Sequence, residues 1–209
     1  MKIGIFPGSF NPVHIGHLAL ANYIAEYNDF DEIWFLITPK NPLKNKNYMM
    51  EPEFRLALLE KAIKDYPKFK ICTIEWDMPQ PTYTINTLQK LRMMYPQNKF
   101  ELIIGSDNWQ TIHRWKDYQM ILKNFTTLVY PRMGTGKFFI NHPNVSIVKG
   151  APKLEISSSF IRKGISRGKD LRFYMPAGIY EDIVTSEYFK QMEMEPDTED
   201  SQSSDDSEQ

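Results

Sequence analysis

The chain has little of what secreted and membrane-spanning proteins depend on. Its 209 residues include a single cysteine, Cys72, which cannot form an internal disulfide and suits a reducing compartment. No run of 18 apolar residues is present, so no membrane span is predicted. The first strand is broken at once by Pro7 and Gly8, unlike the apolar region of a signal peptide. These absences predict a cytoplasmic protein without membrane contact.

Basic residues form no stripe or cluster, although most of the chain is mildly basic. The net charge is −1, but residues 193–209 hold eight acidic residues and no basic one. Residues 1–192 therefore carry 25 basic against 18 acidic residues, a balance that suits a small polyanionic substrate and not a nucleic acid. We predict one domain over residues 1–190 and an acidic, disordered tail over residues 191–209.

Two signatures of other enzyme classes are missing as well. No Gly-x-Gly-x-x-Gly sequence is present, so hydride transfer has no support. No Ser-His-Asp signature and no cluster of acidic metal ligands is visible either, and no metal site is predicted. The pattern instead favours chemistry that needs many hydrogen-bond donors and no protein nucleophile.

Apolar strands and amphipathic helices alternate along the chain. Strands are predicted at residues 2–6, 31–38, 70–76, 99–104, 125–130 and 145–148, and helices at residues 13–27, 51–66, 84–95, 157–164 and within 174–189. Such alternation predicts an α/β fold, a parallel sheet with helices on both faces. The loops that follow the strands then share one edge of the sheet, where such folds bind ligands.

The first strand, loop and helix carry the strongest motif. His14 and His17 lie three residues apart at the start of the helix, so both imidazoles face the same side. A helix start offers unpaired N–H groups and partial positive charge, which suits a phosphate. A solvated face or a metal pair is the alternative, although Ser9 and Asn11 nearby are poor zinc ligands.

Residues 8–17, Gly-Ser-Phe-Asn-Pro-Val-His-Ile-Gly-His, resemble the signature of the HxGH nucleotidyltransferase superfamily. The same final box occurs in class I aminoacyl-tRNA synthetases. The resemblance implies a Rossmann-like nucleotidyltransferase fold and an ATP site at this loop. The ATP-binding residues implied here are Gly8, Ser9, Phe10, His14 and His17.

A second helix start, in residues 154–164, combines a serine run with an arginine one turn later. Hydroxyl and N–H groups beside a cation would hold a phosphate. The stretch resembles the second nucleotide-binding box of the superfamily, and the Gly-Ser-Asp after the fourth strand also matches its pattern. The resemblance adds Gly105, Asp107, Ile156, Ser157, Ser158, Ser159 and Arg162 to the implied ATP site.

Two further segments resemble one branch, the bacterial nicotinate mononucleotide adenylyltransferases. Residues 82–88, Thr-Tyr-Thr-Ile-Asn-Thr-Leu, match the segment whose backbone receives the nicotinate carboxylate, although Thr82 or Thr84 could serve only as a helix cap. Trp115 matches the tryptophan that stacks on the pyridine ring. Leu43 and Asn86 depart from the family pattern. The nicotinate mononucleotide site implied in this way comprises Ser9, Lys44, Thr82, Tyr83, Thr84, Trp115, Lys116 and Arg132.

The resemblance implies transfer of the adenylyl group of ATP to nicotinate mononucleotide in NAD biosynthesis, by in-line attack without a covalent intermediate. His14, His17, Lys44 and Arg162 would be catalytic, and Mg²⁺ would accompany ATP. The partners would be ATP and nicotinate mononucleotide, and a homo-oligomer is possible. Two interpretations of Arg55 are open: a structural salt bridge or a role in the site.

Three rival functions stay open at this point. A phosphopantetheine adenylyltransferase shares the serine box but lacks the segments around Tyr83 and Trp115. A class I synthetase would need a tRNA-binding domain, for which 209 residues leave no room. A nucleotide-binding protein without turnover is the third alternative, and His14, His17 and Arg162 argue against it.

Overall fold

The computed structural model describes residues 1–39, 49–132 and 138–189. In these ranges the strands are β1 (Lys2–Gly8), β2 (Glu32–Ile37), β3 (Phe69–Cys72), β4 (Lys99–Gly105), β5 (Thr126–Tyr130) and β6 (Val145–Ile147). The helices are α1 (Ile15–Tyr27), α2 (Pro52–Ile63), α3 (Thr84–Met94), α4 (Ser106–Gln110), α5 (Tyr118–Asn124), α6 (Ser158–Ser166) and α7 (Ile179–Val184). The predicted tail, residues 191–209, lies outside the described residues.

Within the described ranges, six parallel strands form one sheet in the order β3-β2-β1-β4-β5-β6. The chain builds outward from β1 to β3 and then returns to the other side of β1 with β4. This reversal places a switch point above the carboxyl ends of β1 and β4, where open α/β sheets bind ligands. The predicted fold class, a Rossmann-like parallel sheet with helices on both faces, is confirmed.

The two faces of the sheet have separate apolar cores. Alternation along β1 sends Ile3 and Ile5 into the core under α3 and α5, and Phe6 into the core under α1, α2, α6 and α7. A parallel strand covered on both faces reads as a continuous apolar run, which is how residues 2–6 read. No helix in the described part of the chain has the length and apolarity needed to cross a membrane.

The third strand is shorter than predicted. The sequence predicted a strand over residues 70–76, but β3 ends at Cys72 and Ile74–Asp77 forms a 3-10 turn. Within that turn the buried carboxylate of Glu75 accepts hydrogen bonds from Thr82 and Thr87. The prediction was wrong because contacts distant in sequence, not local alternation, set the backbone here.

The predicted closing helix is interrupted. The sequence placed it within residues 174–189, where α7 covers Ile179–Val184 and residues 187–189 are helical again. Gly178 begins this helix at φ 78 and ψ −4, a left-handed conformation that glycine adopts without strain. Lys61 of α2 donates to the Gly178 carbonyl at 3.0 Å and pairs with Asp182 at 2.6 Å, which fixes α7 against α2.

Candidate active site

The two histidines predicted for phosphate binding lie stacked at the start of α1. Their ring centroids are 3.6 Å apart with an interplanar angle of 24°. His14 occupies the cap position, and its backbone N–H donates to Nδ1 of His17 at 3.3 Å. Because Nδ1 of His17 accepts, Nε2 carries the hydrogen in the neutral ring. The local fold therefore makes His17 a hydrogen-bond donor through Nε2.

His14 is held as a buried, neutral imidazole. Its side chain is 2% exposed, and its Nδ1 is buried without a hydrogen-bond partner in the described part of the chain. Burial, followed by the charge of nearby Arg132, lowers the pKa of His14 to about 4. A buried polar atom left without a partner is uncommon and points to a ligand or solvent site.

Gly16 leaves room for the His14 ring. A Cβ at Gly16 would lie 3.0 Å from Nδ1 and 3.1 Å from Cε1 of His14, closer than ordinary van der Waals contact. The next nearest atom, Cβ of Ile156, would be at 3.5 Å. The glycine between the two histidines thus lets the ring lie against the start of α1, close to the predicted second nucleotide-binding segment.

The second predicted phosphate-binding segment docks directly onto the first. The hydroxyl of Ser158 donates to the carbonyl of Pro12 at 2.9 Å, and Nη1 of Arg162 donates to the carbonyl of Asn11 at 2.8 Å. Ser157 caps α6 by accepting from the N–H of Phe160 at 3.1 Å. Two helix starts about 145 residues apart in sequence therefore lie side by side, as the sequence predicted.

A cavity of about 490 Å³ opens between these segments, a volume typical of small-ligand sites. Its lining comes mainly from the start of α1, the start of α4, the end of β5 with the loop after it, and the approach to α6. Predicted site residues in the lining are His14, His17, Asp107, Arg132, Ile156 and Ser157. Lys153 and Glu155 also line it, and the sequence analysis missed both because they precede the recognised serine run.

Arg132 and Asp107 form an ion pair within the cavity. Nη1 of Arg132 lies 2.9 Å from Oδ2 of Asp107, and the backbone N–H of Arg132 donates to the Ser106 hydroxyl at 2.8 Å. A side chain at Gly105 would collide with the Asp107 carboxylate, and its Cβ would lie 2.8 Å from Cδ of Arg132. The structure therefore places Arg132 beside Asp107, a residue predicted for ATP.

Phe10 packs beneath the His17 ring on the protein side of the site. It is buried at 1% exposure with φ 45, and its ring packs edge-on against His17 at 5.1 Å between centroids. A Cβ at Gly8 would lie 2.7 Å from the Phe10 ring. A positive φ is unusual for a bulky residue and persists where packing enforces it. Phe10 thus packs against His17 and helps to orient it.

Five of the residues predicted for the pyridine nucleotide lie together on the α3 face of the sheet, namely Thr82, Tyr83, Thr84, Trp115 and Lys116. Nζ of Lys116 lies 4.6 Å above the Tyr83 ring, which joins the segments around Thr82 and Trp115. Trp115 is half-buried and packs against the core under α3 and α5. Tyr83 caps α3, so Thr84 and Ile85 open its first turn. None of these residues lines the 490 Å³ cavity.

Arg55 is neither in a salt bridge with a described carboxylate nor exposed to a ligand. Its buried guanidinium donates to four backbone carbonyls, those of Met50 at 3.0 Å, Ser9 at 2.6 Å, Thr38 at 3.0 Å and Pro39 at 2.9 Å. Burial lowers the pKa of Arg55 to about 10. Arg55 therefore fixes the loop after β1 to the loop after β2.

Lys44 lies outside the described residues, as does the rest of the segment 40–48. The carbonyls that Arg55 binds at Thr38, Pro39 and Met50 lie on the two flanks of that segment. No group of three or more His, Cys, Asp or Glu side chains that could hold a metal ion occurs in the described ranges.

The sequence is similar to known nucleotidyltransferases over most of its length. Residues 5–164 match the cytidylyltransferase-like family. A "Probable nicotinate-nucleotide adenylyltransferase" of Azobacteroides pseudotrichonymphae is 61% identical over 186 residues, 89% of this chain and 98% of that protein. A protein of the same description from Bacteroides fragilis is 46% identical over 187 residues, 88% of this chain and 91% of that protein.

The fold is also similar to solved structures. The nicotinic acid mononucleotide adenylyltransferase of Plasmodium falciparum, solved in complex with NaAD, superposes with a TM-score of 0.74 at 23% identity, covering 90% of this chain and 97% of that one. A superposition at 23% identity shows that the two proteins share a fold and no more than that. The curated relatives, at 46% and 61% identity over nearly their full lengths, carry the assignment further. The chain therefore belongs to the nicotinate-nucleotide adenylyltransferase family.

Proposed function

We propose that the chain transfers the adenylyl group of ATP to nicotinate mononucleotide, a step of NAD biosynthesis. A 5′-phosphate oxygen of nicotinate mononucleotide attacks the α-phosphorus of ATP, and a new P–O bond forms. The bond between the α-phosphorus and the oxygen bridging to the β-phosphate breaks. The products are nicotinate adenine dinucleotide and pyrophosphate. The observation that carries the proposal is the docking of Ser158 and Arg162 onto the loop before His14.

The triphosphate would lie in the cavity between the two helix starts. Nε2–H of His17 would donate to the α-phosphate, where negative charge develops in the transition state. His14 would add its buried imidazole next to it. Arg162 and Lys44 would neutralise the departing pyrophosphate, and the position of Arg132 favours a phosphate contact from the same side. Catalysis would come from in-line positioning and charge stabilisation, with no protein nucleophile.

The remaining ATP contacts would come from backbone and hydroxyl groups. Gly8 and Gly105 allow a ligand to approach the backbone closely. Asp107 would accept from ribose hydroxyls, and Ser157 and Ser159 would add donors at the start of α6. The adenosine would then lie along Ile156.

Nicotinate mononucleotide would occupy the α3 face, with its phosphate reaching toward Ser9 and the histidines at the end of β1. Its carboxylate would be received by the N–H groups that open α3, around Thr84. Trp115 would stack on the pyridinium ring, an electron-poor ring on an electron-rich indole. Lys116, Tyr83 and Thr82 would border this half of the site.

The donor set fits a magnesium ion that arrives with ATP. Mg²⁺ prefers oxygen ligands and is commonly bound through substrate phosphates with few protein groups. The cavity lining is rich in nitrogen donors, and its carboxylates are Asp107 and Glu155. Bound Mg²⁺ would offset triphosphate charge and would be held mainly by the phosphate oxygens. We also propose a cytoplasmic location.

Pyrophosphate release with ATP and a panel of acceptors tests this function. We expect turnover with nicotinate mononucleotide, and a weaker response with nicotinamide mononucleotide because the amide lacks the charge that the start of α3 would receive. Turnover with phosphopantetheine alone would reassign the enzyme within its superfamily. Binding of ATP without release with any acceptor would favour a nucleotide-binding protein.

A further inference from the structure

Glu75 is a buried carboxylate beneath the start of α3. It is 5% exposed. Its Oε1 accepts from the hydroxyl of Thr87 at 2.8 Å, and its Oε2 accepts from the hydroxyl of Thr82 at 3.2 Å. The hydroxyl of Thr38 also bonds to it. In the described part of the chain its side-chain partners are threonine hydroxyls, with no Lys or Arg paired to it.

Those three hydroxyls come from three different places in the fold. Thr38 follows β2, Thr82 precedes α3, and Thr87 lies in the first turns of α3. Burial of a carboxylate is unfavourable unless hydrogen bonds satisfy it, so the three donors and the carboxylate hold one another in place. Burial raises the pKa of Glu75, and the hydroxyl donors oppose that rise.

The same contacts bracket the segment proposed to receive the nicotinate carboxylate. Thr82 is on one side of Tyr83 and Thr84, and Thr87 is on the other. The Thr87 hydroxyl also lies 3.3 Å from the carbonyl of Tyr83, the capping residue. The turn before Thr82 is held too, since Nε2 of Gln80 donates to the Glu75 carbonyl at 3.1 Å. Glu75 therefore fixes the backbone at the start of α3 through these hydrogen bonds.

Thr38 links this arrangement to the other half of the site. Its carbonyl accepts from Nη1 of Arg55 at 3.0 Å, and the same Nη1 donates to the Ser9 carbonyl at 2.6 Å. A chain of hydrogen bonds therefore runs from the loop after β1 through Arg55, Thr38 and Glu75 to α3. Glu75 and Thr87 are buried at 5% and 0% exposure, and their side-chain oxygens already bond to protein groups, so neither is placed to contact a nucleotide.

We propose that Glu75 is a positioning residue for the pyridine nucleotide, which it serves by holding residues 82–84 so that the first N–H groups of α3 meet the substrate carboxylate. This inference rests on the proposed function. It assigns the specificity for nicotinate mononucleotide in part to a residue that never contacts the substrate. The ATP half of the site, which lies at α1 and α6, does not depend on Glu75 directly.

Steady-state kinetics of Glu75→Ala, Glu75→Gln and Thr87→Val test the proposal. Loss of a hydrogen bond to a charged group changes an equilibrium by about tenfold or more. We therefore expect Glu75→Ala and Thr87→Val to raise KM for nicotinate mononucleotide by at least about tenfold, with KM for ATP within about twofold. Glu75→Gln keeps an acceptor for Thr87 and should restore most of the affinity.

Thr127→Val is the matched control. Thr127 is also a fully buried threonine, but it lies in β5 and its hydroxyl has no hydrogen-bond partner within the described residues. This variant should leave both KM values unchanged. Thr87→Val preserves side-chain shape and keeps the test available if Glu75→Ala does not fold.

The outcomes separate the inference from the function on which it rests. If the wild-type enzyme shows no turnover with nicotinate mononucleotide, the proposed function fails and the inference fails with it. If the wild type turns over and Thr87→Val lowers thermal stability while both KM values stay at the wild-type level, Glu75 is structural and the inference alone is overturned. An equal rise in both KM values would also overturn it.

Discussion

Lowering the pH from 7 to 5 should destabilise the wild-type protein more than a His14→Gln variant, because His14 is buried in its neutral form. Burial and Arg132 lower its pKa from 6.5 to about 4. Between pH 6.5 and pH 4 the unfolded chain therefore binds a proton at His14 that the folded chain does not bind. The stabilisation is present above pH 6.5 and is lost as the pH falls through this window.

The size of the effect follows from the shift. One pKa unit corresponds to about 1.4 kcal/mol, so the full loss, reached below pH 4, is about 3 kcal/mol, and the part lost between pH 7 and pH 5 is about 2 kcal/mol. Because glutamine does not titrate, the His14→Gln variant should lack this component. Groups that titrate in both proteins cancel in the difference.

Urea unfolding at pH 7 and pH 5, followed by tryptophan fluorescence, measures this difference. His113 is exposed, so His113→Gln should show the same pH dependence as the wild type and serves as the control. If His14→Gln loses as much unfolding free energy as the wild type on acidification, His14 is not a buried neutral imidazole and the reasoning fails.

Two further substitutions test the proposed pyridine site at Trp115 and the buried hydrogen bonds of Arg55. Trp115→Ala should mainly raise KM for nicotinate mononucleotide. Trp34 packs against the same core, and Trp34→Ala should leave that KM unchanged. A Trp115→Ala effect confined to KM for ATP would contradict stacking on the pyridine ring. Arg55→Met leaves four backbone carbonyls without their hydrogen-bond donor. It should lower the unfolding free energy by about 3–5 kcal/mol. Arg172→Met, at an exposed ion pair, should leave it close to the wild-type value. Equal losses for the two variants in chemical denaturation would refute the role of Arg55.

Local sequence predicted those parts of the site that sit at helix starts. The loop carrying His14 and His17 and the serine run at residues 157–159 both combine breakers, hydroxyls and helical periodicity. Each signal is contained within about ten residues, and the parallel topology then brings the two together. The convergence at the end of β1 could be predicted because the strands and helices alternate.

The buried polar contacts could not be predicted in the same way. Glu75 was assigned to a strand because its neighbours alternate in hydropathy, and its partners Thr82 and Thr87 lie seven and twelve residues away. Arg55 looked like a partner for a carboxylate, but its acceptors are carbonyls of two loops. Such contacts depend on the packed tertiary structure, which overrides local pattern.

The turnover number of His17→Ala for nicotinate adenine dinucleotide formation tests the central claim most directly. Removing a donor to transition-state charge lowers kcat by on the order of 10²–10³-fold, and we expect at least that loss with thermal unfolding close to the wild type. His113→Ala, at an exposed histidine, should retain wild-type turnover. A folded His17→Ala enzyme with near wild-type kcat would contradict the assignment of the reacting phosphate to the start of α1.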